Sequence, residues 1–213
     1  MTGLLDAIER EARTFFENGR GCHGWDHTRR VLALARRIAG AEDADPVLVT
    51  AGALLHDIGR SREDASGGKV CHAKAGAELA RQVLHRIGAA PGFIDQVAHC
   101  VASHRYRGHI KPATLEARVV HDADKLDAMG AVGIGRAFQF AGEVGARLHD
   151  PGIDVEKTAS YTVEDTAYRE FLVKLSRLRE RMLTDAGRRL AEERHTFMEA
   201  FFDRLNREVL GEC

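Results

Sequence analysis

The sequence predicts an all-α fold, a helical bundle of 213 residues, on three observations. Apolar residues recur at three-or-four spacing wherever they gather. No stretch alternates apolar and polar residues as a half-buried strand does. Helix start and stop residues punctuate the chain between the apolar stripes. At 44% hydrophobic content the chain can bury a sizeable core. Its length fits a single domain over residues 1–213, with a core over about 20–140 and C-terminal helices over about 162–210 packing on it.

Residues 3–18 carry Leu4, Leu5, Ile8, Ala12, Phe15 and Phe16 at amphipathic spacing. After the turn Asn18-Gly19-Arg20-Gly21, a second stripe of Val31, Leu32, Leu34, Ala35 and Ile38 ends at Gly40 and has His27 at its start. Asp45 followed by Pro46 is an N-cap with a first-position proline, and it opens the run PVLVTAGALLHDIG, which Gly59 closes. Residues 60–71, RSREDASGGKVC, have loop composition, with Arg60, Arg62 and Lys69 around a Gly-Gly hinge. His72 begins a helix to Ile87 that Gly88 terminates, and Pro91 starts another with His99 and His104 near its end. Past the polar loop RYRGHIKP, Thr114 caps one long helix, LEARVVHDADKLDAMGAVGIGRAF. Residues 142–161 carry no clear period. Thr162 with Asp165 resembles a capping box for a helix to about Leu183, and Thr184 caps the last helix.

The formal net charge of −1 and pI near 6.8 give no global field to draw the chain to nucleic acid or anionic lipid. An anionic substrate must therefore be held locally. Cys22, Cys71, Cys100 and Cys213 form no CxxC pair, which suits a reducing compartment without disulfides. No apolar run approaches the ~18 residues of a membrane span, so the sequence reads as cytoplasmic. It has no membrane or nucleic-acid partner in view, and it leaves a homodimer open.

Chemistry enters at the end of the apolar run. A helix hydrophobic all round is buried, so its end carries His56 and Asp57 into the interior. An isolated buried carboxylate is costly, and a bound metal ion is an economical source of compensating charge. Water access at the end of a core helix is the plainer alternative. Further along, Asp122, Asp124 and Asp127 crowd one stretch where Lys125 offers one counter-charge. With His27 they complete an H…HD…D pattern.

That pattern resembles the HD-domain superfamily of metal-dependent phosphohydrolases. The segments CHGWDHTRRVLALAR, ALLHDIGR, CHAKAGAELA, ASHRYRG and VVHDADKLDAMGAVGIGRAF are similar to one bacterial branch of small HD proteins, some of which are deoxynucleoside triphosphate pyrophosphohydrolases. The resemblance implies that His27, His56, Asp57 and Asp124 bind a divalent cation. Two imidazoles and two carboxylates without thiolate favour Mn²⁺, Fe²⁺, Co²⁺, Ni²⁺ or Zn²⁺, among which geometry must choose; Mn²⁺ is the expected ion, with Mg²⁺ also open. It further implies a nucleotide substrate, with Lys125 meeting a phosphate. Arg60, Arg62, Lys69, Arg105 and Arg107 lie on loops that could complete an anionic pocket. His72 and His104 are candidates for a second metal or for protonating the leaving group, and Asp127 joins them as a catalytic candidate. His23, His99 and His121 read as core or surface residues. Rival functions are hydrolysis of a guanosine alarmone or cyclic nucleotide, and a nucleotide-sensing module without turnover.

Overall fold

The structure, a computed structural model, describes residues 2–16, 24–105 and 110–213. Cys22, His23 and Arg107 of the sequence reading lie outside the described residues. The all-α expectation holds: every regular element among the described residues is helical. In chain order these are α1 (Thr2–Thr14), α2 (Trp25–Glu42), α3 (Pro46–Leu55), α4 (Arg60–Ala65), α5 (His72–Arg86), α6 (Pro91–Ser103), α7 (Leu115–Leu126), α8 (Gly130–Glu143), α9 (Ala167–Val173), a 3-10 helix (Leu175–Arg181) and α10 (Asp185–Val209). Two compact units divide the chain, Met1–Asp124 with Leu183–Gly187, and Lys125–Met182 with Arg188–Cys213.

In the first unit α3 is the central element. The Asp45 carboxylate accepts from the backbone N–H of Val47 at 2.7 Å and of Leu48 at 3.1 Å, capping the helix where Pro46 needs no partner. Every residue from Leu48 to Leu55 is buried, as an all-round apolar helix requires. α1, α2 and α6 pack on it. At Gly52 an added Cβ would stand 3.0 Å from Cys100 Cβ and 3.1 Å from Val120 Cγ2, so α6 and α7 close on that face as well. Ile8, Leu54, Leu55, Ile58, Leu84, Val97 and Val101 fill the core around it.

α3 ends at Leu55, earlier than the expected Gly59, and residues 56–59 form a turn. Gly59 serves close packing there. An added Cβ would overlap the carbonyl oxygen of His72 and lie 2.6 Å from the Gly76 nitrogen, so α5 can start beside the turn only because position 59 has no side chain. The segment read as a loop over 60–71 contains a short helix, α4. Its composition hid this because the helix is short and polar: Arg60 pairs with Asp57 and Glu63 at i,i+3 spacing, and Glu63 turns inward to His72 nine residues on, so no apolar stripe marks it.

The long helix expected over 115–138 breaks between α7 and α8. Met129 is extended and Gly130 takes φ 69°, the left-handed region that suits glycine. The carbonyl of Leu126, freed at the break, accepts from the Arg194 guanidinium of α10. Between α8 and α9 the chain is irregular, as expected for 142–161. It is organised by buried Arg169, which donates to Thr158 Oγ1 at 2.7 Å, Thr158 O at 3.1 Å and Asp165 Oδ1 at 2.9 Å. Asp165 also accepts from the N–H of Tyr161 at 2.7 Å. That use of Asp165 explains why no helix starts at Thr162. The cap is Thr166, whose hydroxyl accepts from Arg169 N, and the run expected to reach Leu183 divides into α9 and the 3-10 helix. Ala191, Met198 and Phe202 of α10 are buried as its stripe predicted, while Phe197 is half exposed.

Candidate metal centre

Five elements of the first unit bring side chains to one place. His27 sits in the first turn of α2, His56 and Asp57 follow α3, His72 opens α5, His104 follows α6, and Asp124 lies near the end of α7. All but Asp124 are essentially sealed from solvent. The four residues expected as metal ligands do converge. His56 Nε2 stands 3.2 Å from His27 Nε2, and both are 3.7 Å from Asp57 Oδ2. Asp124 Oδ1 is 3.4 Å from His27 Nε2.

The other oxygen of Asp57 faces a second set. Oδ1 lies 3.5 Å from His72 Nε2 and 3.4 Å from His104 Nε2, and those two nitrogens are 3.2 Å apart. The donors thus form two groups, His27, His56 and Asp124 on one side and Asp57, His72 and His104 on the other. Asp57 spans them, one oxygen to each.

The tautomers follow from the partners. A carbonyl oxygen only accepts, so His56 donates from Nδ1 to Ala53 O at 2.8 Å and His104 from Nδ1 to Val101 O at 2.7 Å. Each Nε2 is then left with its lone pair turned inward. His72 does the same through a carboxylate, donating from Nδ1 to Glu63 Oε2 at 2.7 Å. Nε2 lone pairs aimed at one another and at carboxylate oxygens repel unless a cation lies among them. The donor set therefore fits divalent metal.

Electrostatics keep the set in metal-ready form. Burial, only partly opposed by Asp57, lowers the pKa of His56 to about 4. Burial does the same to His72, again against Asp57, bringing it to about 4. Both imidazoles are neutral at pH 7 and available as ligands. Burial alone would raise the Glu63 pKa, but His72, Arg60 and Arg105 outweigh it and hold the carboxyl below its ordinary value.

The remaining expected site residues are placed as follows. Arg60 donates to Asp57 Oδ2 at 3.3 Å and to Glu63 Oε2 at 2.9 Å, so it is already engaged with the carboxylates. Arg105 reaches Glu63 Oε1 at 3.2 Å and Cys71 Sγ at 3.2 Å. Lys69 and Arg62 are exposed. Lys125 and Asp127 belong to the second unit; Lys125 is buried, and Asp127 accepts from Arg136 Nη1 at 2.8 Å. His99 accepts from the N–H of Ala113 and His121 pairs with Asp122, structural places consistent with their reading. Glu63 was missed. Its signal in the sequence is faint, one carboxylate nine residues before His72 in a stretch of loop composition.

The family model for the HD domain matches residues 24–129. The chain is 39% identical to the Bacillus subtilis protein YpgQ over 194 residues, which is 89% of this chain and 85% of that one. The crystal structure of YpgQ superposes with a TM-score of 0.77 at 32% identity, over 100% of this chain and 98% of that one. YpgQ in complex with ADP gives 0.73 over 97% and 95% at 33% identity. An HD-superfamily hydrolase of Bacillus thuringiensis gives 0.75 over 96% and 95% at 27% identity. Ribonuclease Y of Borreliella burgdorferi is 33% identical over 116 residues, 54% of this chain but 21% of that protein. A fold, a donor set and a full-length likeness thus agree: the chain belongs to the HD-domain family and is a metal-dependent hydrolase of that superfamily.

Proposed function

We propose that the chain is a nucleotide phosphohydrolase, with release of pyrophosphate from a deoxynucleoside triphosphate as its leading reaction. The observation that carries the reading is the Asp57 carboxylate set between two groups of inward-facing imidazoles. The ADP bound to YpgQ supports a nucleotide as the ligand class.

His27, His56, Asp57 and Asp124 would hold the first cation, and His72 and His104 could share Asp57 to hold a second. Bound there, a divalent ion supplies a water acidic enough to attack phosphorus near neutral pH and neutralises a phosphoryl oxygen. The protein aims the donors before substrate arrives. Ala53 and Val101 fix His56 and His104, and burial keeps water from the sealed side. Where one ion binds, the Nε2 lone pairs of His72 and His104 could take up the proton of the attacking water and pass it to the leaving oxygen. Arg60 spreads positive charge over Asp57 and Glu63, which eases crowding of the carboxylates. Lys125, next to Asp124 in the sequence, is the proposed partner for a phosphate.

A panel of nucleotides with Mn²⁺, assayed by product, tests this. Monophosphate plus pyrophosphate from a deoxynucleoside triphosphate supports the leading reaction. Pyrophosphate from a 3′ position or a linearised monophosphate would move it to an alarmone or cyclic nucleotide. Metal uptake without turnover on any substrate would leave a sensing module.

A further inference from the structure

His72 differs from its neighbours in how it is held. His56 and His104 stand at helix C-termini, where the carbonyl three residues back lies within reach of Nδ1. His72 is the first residue of α5. Helix carbonyls point toward the C-terminus, so a first residue has no carbonyl of its own helix behind it. Its Nδ1 partner must come from elsewhere, and α4 supplies it: Glu63 Oε2, at 2.7 Å. Glu63 is buried in turn and is gripped by Arg60 at Oε2, 2.9 Å, and Arg105 at Oε1, 3.2 Å. Neither arginine can accept a hydrogen bond, so both leave the Nδ1 proton of His72 uncontested.

From this arrangement we propose that Glu63 is the positioning residue of the centre, fixing His72 as the Nδ1–H tautomer with Nε2 turned to Asp57. The proposal rests on the metallohydrolase reading for its purpose, though the tautomer is a property of the metal-free chain. An imidazole without this partner can rotate or carry its proton on Nε2, where it could not ligate. A carboxylate partner also makes the imidazole a stronger donor than a carbonyl does. His72 is therefore the ligand whose strength the protein sets by a replaceable side chain.

The test uses the full-length protein with ¹⁵N-labelled histidine. Long-range ¹H–¹⁵N spectra of the metal-free wild type are expected to show His56, His72 and His104 as Nδ1–H tautomers. In Glu63→Ala, His72 alone should shift toward Nε2–H. Mn²⁺ affinity should fall about 10–100-fold, the range of losses on removing a ligand's hydrogen-bond partner. Glu63→Gln keeps the volume but offers one acceptor oxygen to three donors, and it should lose affinity to a smaller degree. An unshifted His72 in Glu63→Ala would overturn the proposal. Should that variant not fold, wild-type Mn²⁺ affinity in Glu63→Gln would overturn it instead. A wild type that takes up no Mn²⁺ would sink the metallohydrolase reading alone, since the tautomer shift would still decide the role of Glu63.

Discussion

Two buried carboxylates of the first unit, Asp122 and Asp57, show opposite solutions to the same cost. Asp122 is fully enclosed and satisfied by the chain: it accepts from Leu183 N at 3.0 Å, Thr184 N at 2.8 Å, Thr184 Oγ1 at 2.7 Å and His121 Nδ1 at 3.0 Å. A Cβ at Gly187 would overlap its Oδ2, so α10 starts hard against it. Asp57 is as deeply buried but looks out on four Nε2 atoms. The first carboxylate is a structural tie completed by backbone amides; the second takes a hydrogen bond from Arg60 and otherwise faces imidazole nitrogens. Hydrogen-bond partners, rather than burial or charge, set the two carboxylates apart.

The contrast breaks most visibly in function. Asp57→Asn should abolish Mn²⁺ binding and cut hydrolysis at least about 100-fold, beyond the loss typical of an outer partner, with a smaller stability loss than any truncation of Asp122. Metal content by elemental analysis and initial rates check it. Wild-type turnover in that variant would place the chemistry elsewhere.

Asp122→Ala should do the reverse. It leaves the buried amide and hydroxyl of Thr184 and the part-buried amide of Leu183 without this acceptor, at a cost of roughly 3 kcal/mol in denaturant melts, while the folded fraction keeps its Mn²⁺ site. Loss of metal from a fully folded Asp122→Ala would erase the distinction.

Acid sharpens the comparison. His56 and His72 have folded pKa values of about 4, below the usual 6.5, so the unfolded chain takes up protons first. Their full stability is present above pH 6.5 and is lost as pH falls toward 4. Between pH 6.5 and 5 each should remove roughly 2 kcal/mol from the metal-free protein. Saturating Mn²⁺ should move this decline to lower pH, and chemical melts across the range with and without the ion would show it. A flat profile would mean that the imidazoles are already charged or exposed.

The mildest effect is expected at Lys125. Lys125→Ala should raise KM for a nucleoside triphosphate about tenfold with little change in kcat if the ammonium binds ground-state phosphate. A drop in kcat at constant KM would move its contact to the transition state.

The helical architecture was legible because amphipathic spacing and caps are local: Asp45-Pro46 and Thr184 announce α3 and α10 in a few residues. His56 and Asp57 were legible because an apolar helix had to deliver them inside. Asp122 was read only as one of three crowded acids, for its partners at 183 and 184 lie some sixty residues along the chain. The break at Met129-Gly130 escaped notice because the apolar stripe runs on through it, and the carbonyl it frees is satisfied by distant Arg194. Glu63 escaped for a similar reason: its local pair with Arg60 looks like an ordinary surface ion pair, and its other partners, His72 and Arg105, lie farther along the chain.

Three of the imidazoles are clamped at Nδ1 by the polypeptide itself, at Ala53, Val101 and Glu63. Aiming these donors is thus finished when the helices form, and an arriving ion meets a claw already set. Such a protein should survive chelation as a folded, empty receptor and recharge quickly, unlike small zinc modules whose chains collapse when their ion is stripped away.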